Sequence, residues 1–209
     1  MSARSRLLLA AASLLLIVAF IAPIWAVYLQ APQYPEGLGM LIRVNDITGI
    51  KPNDLQNINN LNHYIGMKRI VPESIPELRF MPWILATLVA TGLAAAAAGR
   101  RWMARAWVTA FAIVAAIGLG DFYKWEYDYG HDLDLENAII RIEGMSYQPP
   151  LIGSKQLLNF RATSLPAAGG YALIASLALG VLVVVLDART IRRAPAPSPV
   201  RTTGRIRLA

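Results

Sequence analysis

At 209 residues, with 56% hydrophobic and 16% charged content, the chain is too apolar for an average soluble domain and has the composition of a polytopic membrane protein. The absence of cysteine excludes disulfides, CxxC redox pairs, cysteine zinc sites and c-type haem attachment. The formal charge of +7 is concentrated beside apolar runs, where it orients a membrane protein and meets anionic lipid, so it does not point to nucleic acid.

Residues 7–28 contain no charge and follow Arg4 and Arg6, which predicts a first transmembrane helix, retained because its apolar run is long for a signal peptide and Ile24-Trp25-Ala26 is a poor cleavage site. In the loop over 29–79, Trp25, Val27 and Leu29 alternate, as do Leu38, Met40, Ile42 and Val44, which predicts short half-buried strands. From Asn53 to Ile65 the apolar spacing changes to three or four, predicting an amphipathic helix that stops at Gly66. Residues 80–98 read as the second span, ending at the basic turn 99–105. The third, 106–120, is short and needs Arg105 to snorkel at one end, with Phe122, Tyr123 and Trp125 anchoring the other. Its helix continues outward to a stop at Gly130, which places His131 at the helix end. In the loop over 121–164, the alternation from Ala138 to Glu143 predicts a strand paired with Leu38 to Val44. Residues 165–186 form the fourth span, and 187–209 a disordered basic tail. The resulting fold class is an all-α membrane bundle of four transmembrane helices, with a small mixed α/β extracytoplasmic domain built from the two long loops.

Basic clusters abut the ends of the spans at the two termini and at the short turn, whereas the two long loops hold twelve of the thirteen acids. This places both termini in the cytoplasm and both loops outside, in a bacterial inner membrane protein.

Imidazole and thioether are the donors suited to copper(I) in a thiol-free chain, so His63, Met67, His131 and Met145, all on the outer side, are the candidate metal ligands. The alternative for the same residues is packing and hydrogen bonding. The acids Asp121, Glu126, Asp128, Asp132, Asp134 and Glu136 have no EF-hand spacing and no nucleophile beside them, and read as a solvated face. Asp121, at a span boundary, has Lys124 as its nearest candidate partner. Trp25, Tyr28, Trp83, Tyr123 and Trp125 read as interfacial anchors. Aromatic side chains of the loops, Tyr34, Tyr64, Trp125, Tyr127, Tyr129 and Tyr147, are the candidate partner contacts. No catalytic signature is present, so the chain reads as an accessory protein and not an enzyme.

The runs LQAPQYPEGLGM at 29–40, INNLNHYIGMK at 58–68, DFYKWEYDYGHDL at 121–133 and MSYQPPLIGSKQLLNF at 145–160 resemble a small polytopic protein of nitrous oxide reductase gene clusters, the NosB type. The resemblance extends from the first span to the fourth and omits the basic tail, and residues 50–54 read as an insertion. It implies an integral membrane accessory of nitrous oxide respiration, with the copper-containing reductase or its copper-maturation machinery as partner besides membrane lipid. Two roles stay open under it: copper(I) handling through His63, Met67, His131 and Met145, or docking of the reductase or its electron donors with no metal.

Overall fold

The computed structural model describes residues 1–142 and 144–192. The chain enters as helix α1 (Ala3–Leu15) and continues, after a short irregular turn, as α2 (Val18–Ile21). Pro23 then disfavours helical geometry at the residue before it, and Ala22 is extended, at φ −110° and ψ 148°. The helix expected over 7–28 therefore stops early, and Trp25 to Tyr28 belong instead to strand β1 (Trp25–Ala31).

Two further strands follow, β2 (Tyr34–Ile42) and β3 (Ile47–Gly49), then helix α3 (Asp54–Tyr64) and a 3-10 turn at Pro72–Ser74. Helix α4 (Glu77–Ala98) and helix α5 (Arg101–His131) form an antiparallel pair, and strands β4 (Gly153–Leu157) and β5 (Phe160–Pro166) lead into helix α6 (Ala168–Arg192). Four helical segments are long and apolar enough to cross a membrane: Ala3–Ile21, Glu77–Ala98, Arg101–His131 and Ala168–Arg189. The tail expected over 187–209 continues α6 as far as Arg192, and the rest lies outside the described residues.

The strands make one antiparallel sheet in the order β3-β2-β1-β5-β4. This corrects the all-α class: the fold is mixed α/β. The sheet is continuous with the bundle, because β1 leaves α2 after a three-residue connection and β5 passes into α6 through Ala167. The Ala167 and Gly169 amides donate to Ile24 O and Pro23 O, at 3.0 and 2.8 Å, and tie the two crossings together. The strand expected from Ala138 to Glu143 does not form over its described part, 138–142. Instead β2 is flanked by β1, with Val27 opposite Met40, and by β3, with Leu41 opposite Thr48. Both ladders of β2 are thus occupied, and the partner contributed by the later loop is β5, against β1.

The bundle is packed through small residues, as helices in lipid require. Ser13 is fully buried and opposite Gly92, where any Cβ would lie 2.2 Å from the Ser13 hydroxyl. Arg6 crosses from α1 to donate to Ala96 O and Ala97 O at 2.9 and 2.7 Å, satisfying carbonyls left open at the end of α4. The ends of the bundle thereby differ: a basic base at the α4–α5 turn, and a head containing the sheet.

Candidate functional site

Thirty-one residues of α5 rise about 46 Å, against a hydrocarbon core of about 30 Å. The twenty residues 101–120 match that thickness, and the eleven residues 121–131 carry the helix about 16 Å further, into the head. One face of that extension, at intervals of four, holds Phe122, Glu126 and Gly130. Phe122 meets Trp25 edge-on at 5.4 Å, and the Trp25 indole N–H donates to Ser164 Oγ at 2.7 Å. Trp25 is therefore buried against the sheet and is no interfacial anchor. At Gly130 the segment 145–151 lies against the helix: Tyr147 N–H donates to Gly130 O at 2.9 Å, and a Cβ on Gly130 would come within 2.4 Å of Gln148. The glycine that read as a helix stop is thus a close-contact position, and α5 runs through it to His131.

Glu126 lies between these two contacts. It is buried, and neither carboxylate oxygen has a hydrogen-bond partner. Burial alone pushes its carboxyl up to about 7. Tyr147 is likewise buried, with its hydroxyl unpartnered. Composition does not separate Glu126 from its exposed acidic neighbours. The signal that does is its position midway between Phe122 and Gly130 on one helix face.

On the other side of the head, α3 organises the chain after it. The Asp54 carboxylate accepts from the Gly39 and Lys51 amides, both at 3.1 Å, and pins the start of α3 to β2. Asn59 both accepts from and donates to the Ile70 backbone, at 2.7 and 3.0 Å, while Asn62 donates to Lys68 O at 3.2 Å. The end of α3 then holds the segment that follows α5. Asp134 N–H donates to Gly66 O and Ile140 N–H to Tyr64 O, each at 2.8 Å. Lys68 pairs with Asp132, and the Tyr129 hydroxyl donates to Arg69 O at 3.2 Å. Gly66 ends α3 as expected, at φ +77°, where a side chain would also meet Asp134 O at 2.7 Å.

These contacts bring the segments bearing His63 and His131 to the same part of the head, with different surroundings for each ring. His63 is exposed and close enough to Asp134 to help hold that carboxyl below its usual range, an effect due first to hydrogen bonds from Asn137. His131 stacks on Tyr127 at 3.9 Å, and its Nδ1 lies 3.0 Å from Tyr127 O. Met67 and Met145 are half-buried. Among the described residues, no hydrogen bond, ion pair or ring contact joins any two of these four side chains, and no group of three or more His, Cys, Asp or Glu is arranged to hold a metal ion. Lys124 pairs with Asp128 at 2.6 Å, one helical turn away, and not with Asp121.

Of the candidate contact aromatics, Tyr64 and Tyr127 are about half exposed, Trp125 and Tyr129 pack on each other at 5.4 Å, and Tyr34 begins β2. Tyr147 lies inside the head and presents no surface. Ile139, Ile140 and Ile142, which sequence reasoning assigned to a strand, are exposed on the segment held by α3, with the Ile140 amide bonded to Tyr64 O. Comparisons with protein-family models, curated proteins and solved structures find no match.

Proposed function

We propose that the chain is an integral membrane accessory protein whose head is a docking platform for a protein partner. The observation that carries this reading is the run of exposed apolar side chains Ile139, Ile140 and Ile142 on the segment that follows α5, with Ile139 63% exposed, held through the Ile140 amide to Tyr64 O at the end of α3, where Tyr64 is also exposed. That end is about 16 Å beyond the hydrocarbon core, so acyl chains do not cover these side chains. Exposed apolar patches of this kind mark protein contact sites. The resemblance of the four sequence runs to the NosB type supplies the partner: nitrous oxide reductase, or the machinery that matures it. The basic clusters at the base support cytoplasmic termini and a head on the outer face of the bacterial inner membrane.

The test is co-purification from native membranes with the reductase as bait. The parent chain is expected to be retained, and Ile139→Asp/Ile142→Asp to be lost while its detergent-solubilised fold is unchanged. Equal retention of the variant overturns the docking surface, and no retention of the parent overturns the partner. Copper(I) handling is the second reading, supported by the common placement of the His63 and His131 segments. A competition titration decides it: stoichiometric copper(I) binding abolished in His63→Ala/His131→Ala establishes it, and no binding by the parent leaves docking alone.

A further inference from the structure

The sheet stands directly on the bundle, so its rows can be placed against the bilayer by counting residues. The span Ala168–Arg189 rises about 33 Å, which puts the start of α6 at the edge of a hydrocarbon core of about 30 Å. Leu165 comes three residues before Ala168, and an extended chain gains at most about 10 Å over that distance. The polar layer of each leaflet is about 5 to 8 Å deep. Leu165 therefore borders that layer even if β5 stands upright on the membrane. Gly153 pairs with Ser164, and Leu151 O accepts from Ser164 Oγ at 3.1 Å, so Ile152, the residue before β4, lies at the same level.

The two bilayer-side corners of the sheet differ in chemistry. The turn between β2 and β3 carries Arg43, Asn45 and Asp46, and Arg43 Nη1 donates to Ile21 O at 3.2 Å. The corner at the start of β4 is Pro149-Pro150-Leu151-Ile152 and holds no charge. Ile152 there is 60% exposed and Leu165 38%. Away from the bilayer, the strand face that bears Leu165 passes through Thr163 to Arg161, which lies opposite Gln30 and Gln156, all three exposed. Within four residues the surface thus changes from exposed apolar to fully polar. That profile is the one an interfacial contact requires, with apolar side chains at headgroup level and polar ones in water. A soluble partner would have to pass between head and bilayer to reach this corner.

We propose that the β4 corner, Ile152 with Leu165, is seated in the leaflet on the head side, so that lipid covers these side chains. The contact is separate from the lipid that surrounds the spans. It attaches the sheet to the membrane at one corner, while the β2–β3 corner is held by the protein itself through Arg43.

The chain has no cysteine, so single nitroxide labels can be placed on the full-length protein without other changes. Ile152→Cys, Leu165→Cys, Gln30→Cys and Gln156→Cys are each labelled and reconstituted in nanodiscs of phosphatidylethanolamine and phosphatidylglycerol, one chain per disc. Power-saturation EPR compares collisions with oxygen, which concentrates in lipid, and with a water-soluble nickel chelate. Oxygen collisions should exceed nickel collisions at Ile152 and Leu165, and the ratio should reverse at Gln30 and Gln156, which carry the same label and so correct for its own apolarity. An excess of nickel collisions at either Ile152 or Leu165 overturns the seat, because water then reaches the corner. Low collision rates with both agents overturn it too, since protein is then the cover. If one of the two corner variants fails to fold, the other decides against the same two controls.

Discussion

A carboxyl shielded from water without a donor keeps its proton, and Glu126 meets that condition in the part of α5 that enters the head. Its pH effect has a definite sign. Below pH 4.5 the group is protonated in folded and unfolded chains alike. Between 4.5 and about 7 the unfolded chain releases the proton and the head retains it, so the head loses stability across this window and stays at the lower level above it. Glu126→Gln should flatten the slope and raise head stability at pH 8 by roughly 2 to 3 kcal/mol. Hydrogen exchange at the Tyr147 amide, which bonds to Gly130 one turn away, is the measurement, and an unchanged pH slope in the variant refutes the assignment. Gly66 is the second decisive residue. At φ +77° an alanine pays about 1 to 2 kcal/mol for the left-handed backbone and also meets Asp134 O. Gly66→Ala should lower the unfolding midpoint of the head, and an unaltered thermal melt would contradict the contact.

At the scale of elements, β1 decides how the two loops combine. Its partners are β2 on one side and β5 on the other, with Gln30 opposite Arg161 at an exposed position. Facing residues of an antiparallel pair lie at separations a disulfide can bridge. Gln30→Cys/Arg161→Cys should therefore oxidise to an intramolecular disulfide in the intact protein, whereas Met40→Cys/Ile140→Cys should not; the reverse pattern, read by gel mobility after thiol blocking, would restore the pairing expected from alternation. The alternation over 138–142 was a weak guide because a short apolar run fits an exposed segment as well as a strand, and here the Ile140 amide is taken by Tyr64 O. The amphipathic spacing from Asn53 to Ile65 was a stronger one: α3 occupies Asp54–Tyr64, since eleven residues of regular period have one helical solution.

For the whole molecule, the basic base and the acidic head predict the topology: alkaline phosphatase fused near Ser74 and near Ser146 should be active, and inactivity at both sites would invert the orientation. What the sequence determined by itself is the membrane class and the approximate place of four apolar helices, because about 20 uncharged residues in lipid must close their own hydrogen bonds and need no distant partner to do so. Gly66 as the end of α3 belongs with these, being a local matter of backbone freedom. Only the tertiary structure decided that Trp25 is a strand residue buried on Phe122, that Gly130 is a contact and not a stop, and that one carboxylate of an acidic run is enclosed. It also set His63 beside Asp134, on the segment that follows α5. Each of these depends on a segment distant in sequence, and strand pairing and burial are properties of the surface that arrives opposite, which local period and propensity do not encode.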